Sequence, residues 1–149
     1  MPEGAMAIRV KAPAFEVNRA TLYTEDGDLA TVWANGDLEI EIRRDGETVV
    51  ETFHTSRAHF FDLPTRPRDF SVFLDGQHRG HLHRAWSYSF RHDVLTLDGQ
   101  DHPFPGSSFG ICARRDFVSG RPRVDLYRPD RLRLGMFAAA WMWVKQVYV

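Results

Sequence analysis

Residues Asp130 to Val149 read DRLRLGMFAAAWMWVKQVYV, and within them Leu134 to Val144 is a run of eleven apolar residues and glycine without a single charge. A segment with no polar face has to be enclosed on all sides, by protein or by lipid. Length decides between the two. Eleven residues of helix rise about 16 Å, roughly half of a hydrocarbon core near 30 Å. Arg131 and Arg133 flank one end and Lys145 the other. The expectation is therefore a helix over residues 130–146 that is buried in protein, with Asp130 as its N-cap after Pro129. Ala138, Ala139 and Ala140 favour helix, while Gly135 weakens it and Trp143 to Val149 suits a strand on propensity alone.

Upstream of this run the pattern is different. Asp26-Gly27, Asn35-Gly36, Asp45-Gly46, Asp75-Gly76 and Asp98-Gly99 punctuate the chain. Such pairs tolerate the positive φ of tight hairpin turns. Between them apolar and polar residues alternate: in Asp37 to Arg43, Leu38, Ile40 and Ile42 face one way and the acids Asp37, Glu39 and Glu41 the other, as in a half-buried strand. In Glu47 to His54, Val49 and Phe53 oppose Val50, Thr52 and His54. Further strands are expected at Leu29 to Ala34, Ala58 to Phe61, Phe70 to Leu74, His78 to His83, Trp86 to Arg91, Val94 to Leu97, Phe109 to Arg114 and Arg123 to Tyr127. Asp62 to Asp69 (DLPTRPRD) reads as a loop, because Pro64 and Pro67 cannot donate to a central ladder.

The 149 residues suit one domain, spanning 1–149, long enough to bury a core without staples. Residues 1–12 read as a disordered N-terminal arm. With 19 aromatic residues (11 Phe, 4 Tyr and 4 Trp), disorder of the whole body is excluded. A net charge of −1 argues against a protein that coats nucleic acid. The charge is uneven: Glu25 to Glu51 holds nine acids against Arg43 and Arg44, and Arg114 to Arg133 holds seven arginines against three aspartates. The two stretches read either as solvated faces that attract each other or, for the basic one, as an anion- or phospholipid-facing patch. Cys112 is the only cysteine, so no internal disulfide can form, and a reducing compartment fits. With no apolar stretch of signal-peptide length near Met1, the expected location is the cytoplasm.

An all-β meander followed by one apolar helix suggests an antiparallel sheet closing into a barrel around that helix. On the hairpins TLYTEDGDLATVW (Thr21 to Trp33) and FLDGQHRGHLHRAWSYSF (Phe73 to Phe90) and the terminal LGMFAAAWMWV, the chain resembles the tubby-like superfamily, which includes LURP-one-related and phospholipid-scramblase-like proteins. The resemblance implies a closed barrel around a C-terminal helix and a lumen too full for an internal substrate. It also implies contact with anionic phospholipid or a protein on the outer surface, where Arg114, Arg115, Arg121 and Arg123 form the patch, without a cofactor.

Other motifs fall short in their spacing or context. Gly106-Ser107-Ser108-Phe109-Gly110 matches G-x-S-x-G, but a nucleophile elbow needs a strand-to-helix turn, and no histidine follows His102. His81 and His83 project from one face of a strand and, with His92 or Asp93 across it, are the ligands of an alternative metal-dependent or small-ligand β-barrel enzyme. An H-x-H pair invites comparison with cupins, yet the glutamate expected next is replaced by RAWSYSFR. Glu25-Asp26-Gly27-Asp28 lacks the ligand spacing of a calcium loop. A third possibility makes the C-terminal run an exposed docking helix in an oligomer.

Overall fold

The protein is described here by a computed structural model that covers residues 6–13, 18–55, 68–86, 91–107 and 109–148. The chain forms strands β1 (Met6–Lys11), β2 (Arg19–Thr24), β3 (Gly27–Ala34), β4 (Ile40–Arg44), β5 (Glu47–His54), β6 (Arg68–Leu74), β7 (Gln77–Trp86), β8 (Arg91–Leu97), β9 (Gln100–Pro103), β10 (Ile111–Arg115) and β11 (Pro122–Leu126). Helix α1 (Leu132–Tyr148) follows a 3-10 turn at Pro129–Arg131. The strands make one antiparallel sheet in the order β10-β11-β1-β2-β3-β4-β5-β6-β7-β8-β9. It is a continuous meander from β1 to β9, to which the β10–β11 hairpin returns by pairing β11 with β1.

Local sequence explains most of the turns. Asp45-Gly46, Asp75-Gly76 and Asp98-Gly99 each hold two consecutive positive φ values, the type I′ geometry whose twist matches flanking strands. Asn35-Gly36 does something else. The Asn35 side-chain oxygen accepts the N–H groups of Asp37 and Glu39, so the connection lengthens and the left-handed residue becomes Leu38, which turns into the core. Register shifts fall at Leu22/Tyr23, Ile42/Arg43 and Val72/Phe73. Each lies shortly before or after a hairpin turn, where an extra residue bends the strand and increases its twist.

That curvature wraps the sheet around α1. Leu134, Met136, Phe137, Ala138, Ala139, Ala140, Trp141 and Val144 are each at most 2 % exposed, and in this stretch only Met142 is partly open to solvent. It touches β1, β2, β4, β5, β10 and β11. From the other half of the sheet, Phe70 on β6 meets Trp141 edge-on at 5.5 Å, and Phe104 beyond β9 meets Phe137 at 4.9 Å. Gly135 has its explanation in this packing: a Cβ there would lie 3.0 Å from Ile8 Cδ1 and 3.4 Å from Leu126 Cδ1. Alternating inward residues such as Ile8 and Val10, Ile40 and Ile42, and Leu95 and Leu97 complete the core.

Edges β9 and β10 are not joined by a strand ladder. Ala113 N–H donates to the Gly106 carbonyl at 3.1 Å, so the chain beyond β9 touches β10 at that point. No helix among the described residues is long and apolar enough to cross a membrane.

Several expectations change. The arm over residues 1–12 contains a strand, because Ile8 and Val10 alternate inward and β1 is gripped by β11 and β2. The strand expected from Trp86 to Arg91 is divided, with Trp86 ending β7 opposite Arg91, which starts β8. The helix begins at Leu132, and Asp130 sits inside the 3-10 turn with its carboxylate held by Arg128 (2.8 Å). Ala58 to Phe61 and positions 62–67 lie outside the described residues.

Candidate functional site

The arginines singled out in the sequence fall on the β10–β11 hairpin, at one end of the molecule. Asp116 is its hinge pin: Oδ1 accepts the N–H groups of Val118 (3.0 Å) and Ser119 (3.3 Å), and Oδ2 receives Arg9 from β1 (2.9 Å). The two backbone bonds, then the Arg9 guanidinium, hold its carboxyl below the ordinary carboxylate range. A second backbone bond pair closes the loop, from Gly120 N–H to the Asp116 carbonyl and from Asp116 N–H to the Arg121 carbonyl, both 2.8 Å. The turn so fixed presents Phe117 and Val118 at its tip, both almost fully exposed.

The four arginines divide by role. Arg114 and Arg123 converge on the buried Asp125, at 3.5 and 3.0 Å. A carboxylate withdrawn from water needs such partners. Arg115 and Arg121 form no ion pair among the described residues and stand exposed on either side of the apolar tip. Gln146 at the end of α1 reaches the Gly120 carbonyl at 3.3 Å, which ties the hairpin to the helix end.

Beside the hairpin, where β9 and β10 fail to pair, a cleft of about 240 Å³ opens, lined by Asp93, Pro103, Phe104, Pro105, Arg115, Met142 and Lys145. Asp93 comes from β8 at a position whose neighbours in parity, Leu95 and Leu97, point inward. Its side chain is fully buried, and Oδ2 accepts both the Trp141 indole N–H (2.8 Å) and the Lys145 ammonium (2.7 Å). Oδ1 is buried with no hydrogen-bond partner among the described residues.

The other candidates separate from this end. His81 and His83 are exposed on one face of β7, as expected, but His83 Nδ1 is engaged by Asp69 at 2.5 Å and His81 packs against His78 at 4.9 Å between ring centres. His92 stands opposite Ala85, two rungs from His83, and its side chain lies outside the description. Among the described residues, no group of three or more histidine, cysteine, aspartate or glutamate side chains could hold a metal. Ser108 lies outside the described residues, and Cys112 lies 3.7 Å from Ser107 Oγ. Asp28, from the calcium-like stretch, pairs with Lys11 at 2.8 Å.

Sequence reasoning missed Phe117 and Val118, and it offered Asp93 only as a metal ligand, not as the buried partner of Trp141 and Lys145. The first two follow Asp116 in an unremarkable turn. Asp93 carried a signal, a charge at an inward position of an otherwise apolar alternation. No protein-family model, curated protein or solved structure matches this chain.

Proposed function

We propose that this is a non-enzymatic domain that docks on an anionic membrane surface through the β10–β11 hairpin. The observation that carries the reading is the juxtaposition of an exposed apolar tip, Phe117 and Val118, with Arg115 and Arg121 beside it. Burying a phenylalanine at a membrane boundary is worth roughly 1.5–3 kcal/mol, and each arginine near an anionic surface about 1 kcal/mol. The two together give a weak, reversible attachment. The bonds to Asp116 hold the turn in shape before contact, so little ordering is required on docking.

This reading agrees with the tubby-like resemblance, in which a closed barrel filled by its helix works through its outer surface in the cytoplasm. The burial of nearly every side chain from Leu134 to Val144 supports that comparison. Flotation with vesicles tests it. Binding is expected to vesicles containing phosphatidylserine, to weaken as salt screens the arginines, and to be lost in the Phe117→Asp, Val118→Asp double variant. Absence of flotation at low ionic strength would sink the membrane reading. Capture by a protein partner through the same tip, without vesicle binding, would replace it.

A further inference from the structure

We infer that the groove between Trp33 and Phe53, on the outer face of β3, β4 and β5, docks an arginine side chain of a basic protein segment. The groove lies on other strands than the hairpin tip and does not rest on the membrane reading.

The groove follows from the way β4 and β5 part. Their ladder runs as far as the rung between Glu41 and Glu51. Beyond it the bridges pass through side chains: Ile40 N–H donates to Thr52 Oγ1 at 2.9 Å, and His54 N–H to Glu39 Oε2 at 3.1 Å. Such bridges are longer than a backbone bond, and a space of about 230 Å³ opens beside them. Trp33 and Phe53 wall it, 37 % and 45 % exposed. The aromatic surface continues past the groove, since Phe53 meets Phe73 edge-on at 5.7 Å and Phe73 meets His78 at 5.2 Å. A contiguous exposed apolar face marks an interaction surface. Its reach beyond the groove suits a protein segment better than a free small molecule.

Charge complementarity then narrows the occupant. Glu39, Glu41 and Glu51 line the groove, and among the described residues no basic side chain does. Arg43, over the Trp33 ring, and Arg19, opposite Trp33 on β2, stand outside the lining. Glu41 and Glu51 face each other across one rung, and like charges so placed are destabilising until a cation joins them. Arg43 Nε donates to Glu41, and Asn35 donates to Glu39 at 3.0 Å. Glu51 accepts no hydrogen bond and forms no ion pair among the described residues. Its partner must bring N–H donors, which a quaternary ammonium lacks. A guanidinium stacks on an aromatic face while its fork meets a carboxylate, and a compact ammonium does not combine the two. Arg43 already shows that combination here, 5.3 Å from the Trp33 ring centre and bonded to Glu41. The volume falls below the range of roughly 300–1,000 Å³ usual for whole ligands, so the groove suits a single side chain.

The assigned indole N–H resonance of Trp33 reads occupancy. The full chain is titrated, without vesicles, with the peptide acetyl-Gly-Arg-Gly-Leu-Gly-amide, whose leucine falls on the same side as the arginine in an extended chain. A saturable shift is expected. Citrulline in place of the arginine keeps the shape without the charge, and is expected to bind at least about tenfold more weakly. Lysine in its place is expected to bind several-fold more weakly. Glu51→Gln removes one of two opposed charges, so the variant is expected to fold and to bind the arginine peptide about tenfold more weakly. The inference is overturned if the arginine peptide gives no saturable shift, or if the citrulline or lysine peptide matches it. It is equally overturned if a folded Glu51→Gln protein binds as tightly as the parent. Ethylguanidinium binding as tightly as the peptide would assign the groove to a small cation instead. Self-association of the free chain that Glu51→Gln abolishes would assign it to a second copy, and either result overturns the protein-segment reading. Should the variant not fold, the comparison of the peptides on the parent chain decides alone.

Discussion

Trp141 donates its indole N–H to Asp93 at 2.8 Å, fastening the centre of the buried helix to the eighth strand of the sheet. The bond joins the two largest parts of the fold through a carboxylate that also receives Lys145. Removing the acceptor strands a buried indole N–H and an ammonium together. Asp93→Ala is expected to destabilise the protein by about 3–5 kcal/mol, the usual cost of breaking a buried ion pair from one side. Asp93→Asn, which can still accept from Trp141, is expected to cost less. Urea denaturation of the two variants, compared at equal m-value, checks the order.

Gly80 on β7 faces the backbone of β8 with no room for a side chain. A Cβ there would lie 1.9 Å from the Thr96 carbonyl oxygen, an atom that cannot swing aside. Gly80→Ala is expected to separate the strands and destabilise by more than about 3 kcal/mol, in the range of severe overpacking. Gly36→Ala is the contrast. Open space surrounds it and its φ is not left-handed. A change of at most about 1 kcal/mol, in the stabilising direction, is expected there.

Phe117 has no packing to lose. Phe117→Ser is expected to change thermal stability by no more than about 0.5 kcal/mol, as at other exposed positions. The same substitution is expected to reduce flotation with phosphatidylserine vesicles several-fold. Melting curves and flotation, measured on one preparation, separate the two effects.

Acid should loosen the hairpin tip late. Because the folded Asp116 carboxyl titrates below its ordinary value, its bonds to Val118 and Ser119 contribute fully above the unfolded pKa of about 3.9. They are lost only as pH falls through the lower folded value. Amide shifts of Val118 and Ser119 followed by NMR are expected to hold steady down to about pH 4 and to move below it. In Asp116→Asn, which keeps an acceptor but carries no charge, that acid transition is expected to vanish.

The buried helix was legible in the sequence because burial on every side forbids a polar face, and Leu134 to Val144 has none. Alternation beside Asp-Gly turns placed β3, β5 and β6 to within two residues, since one half-buried face imposes period two. Short β9, whose four residues present no buried side chain, left no such trace. Alternation alone turns Leu38 inward, but the bonds that Asn35 accepts to set its left-handed backbone depend on loop geometry. Site residues fared unevenly. The arginine cluster is visible as local charge, yet which members are spent on Asp125 depends on strand pairing between β10 and β11. The cleft is made by two edges distant in sequence, and no local pattern encodes that meeting.

Helix α1 follows all eleven strands in chain order, yet it supplies the centre that their inner faces cover. As the chain is synthesised, those faces emerge first and have nothing to close on until residues 132–148 are released. The strands must therefore either wait unpaired or collapse on one another, and unpaired strand edges with exposed apolar faces invite association between chains. Closure of the sheet is thus held back until helix α1 has emerged, and a ribosome stalled before Leu132 would leave a product with a lining and no core.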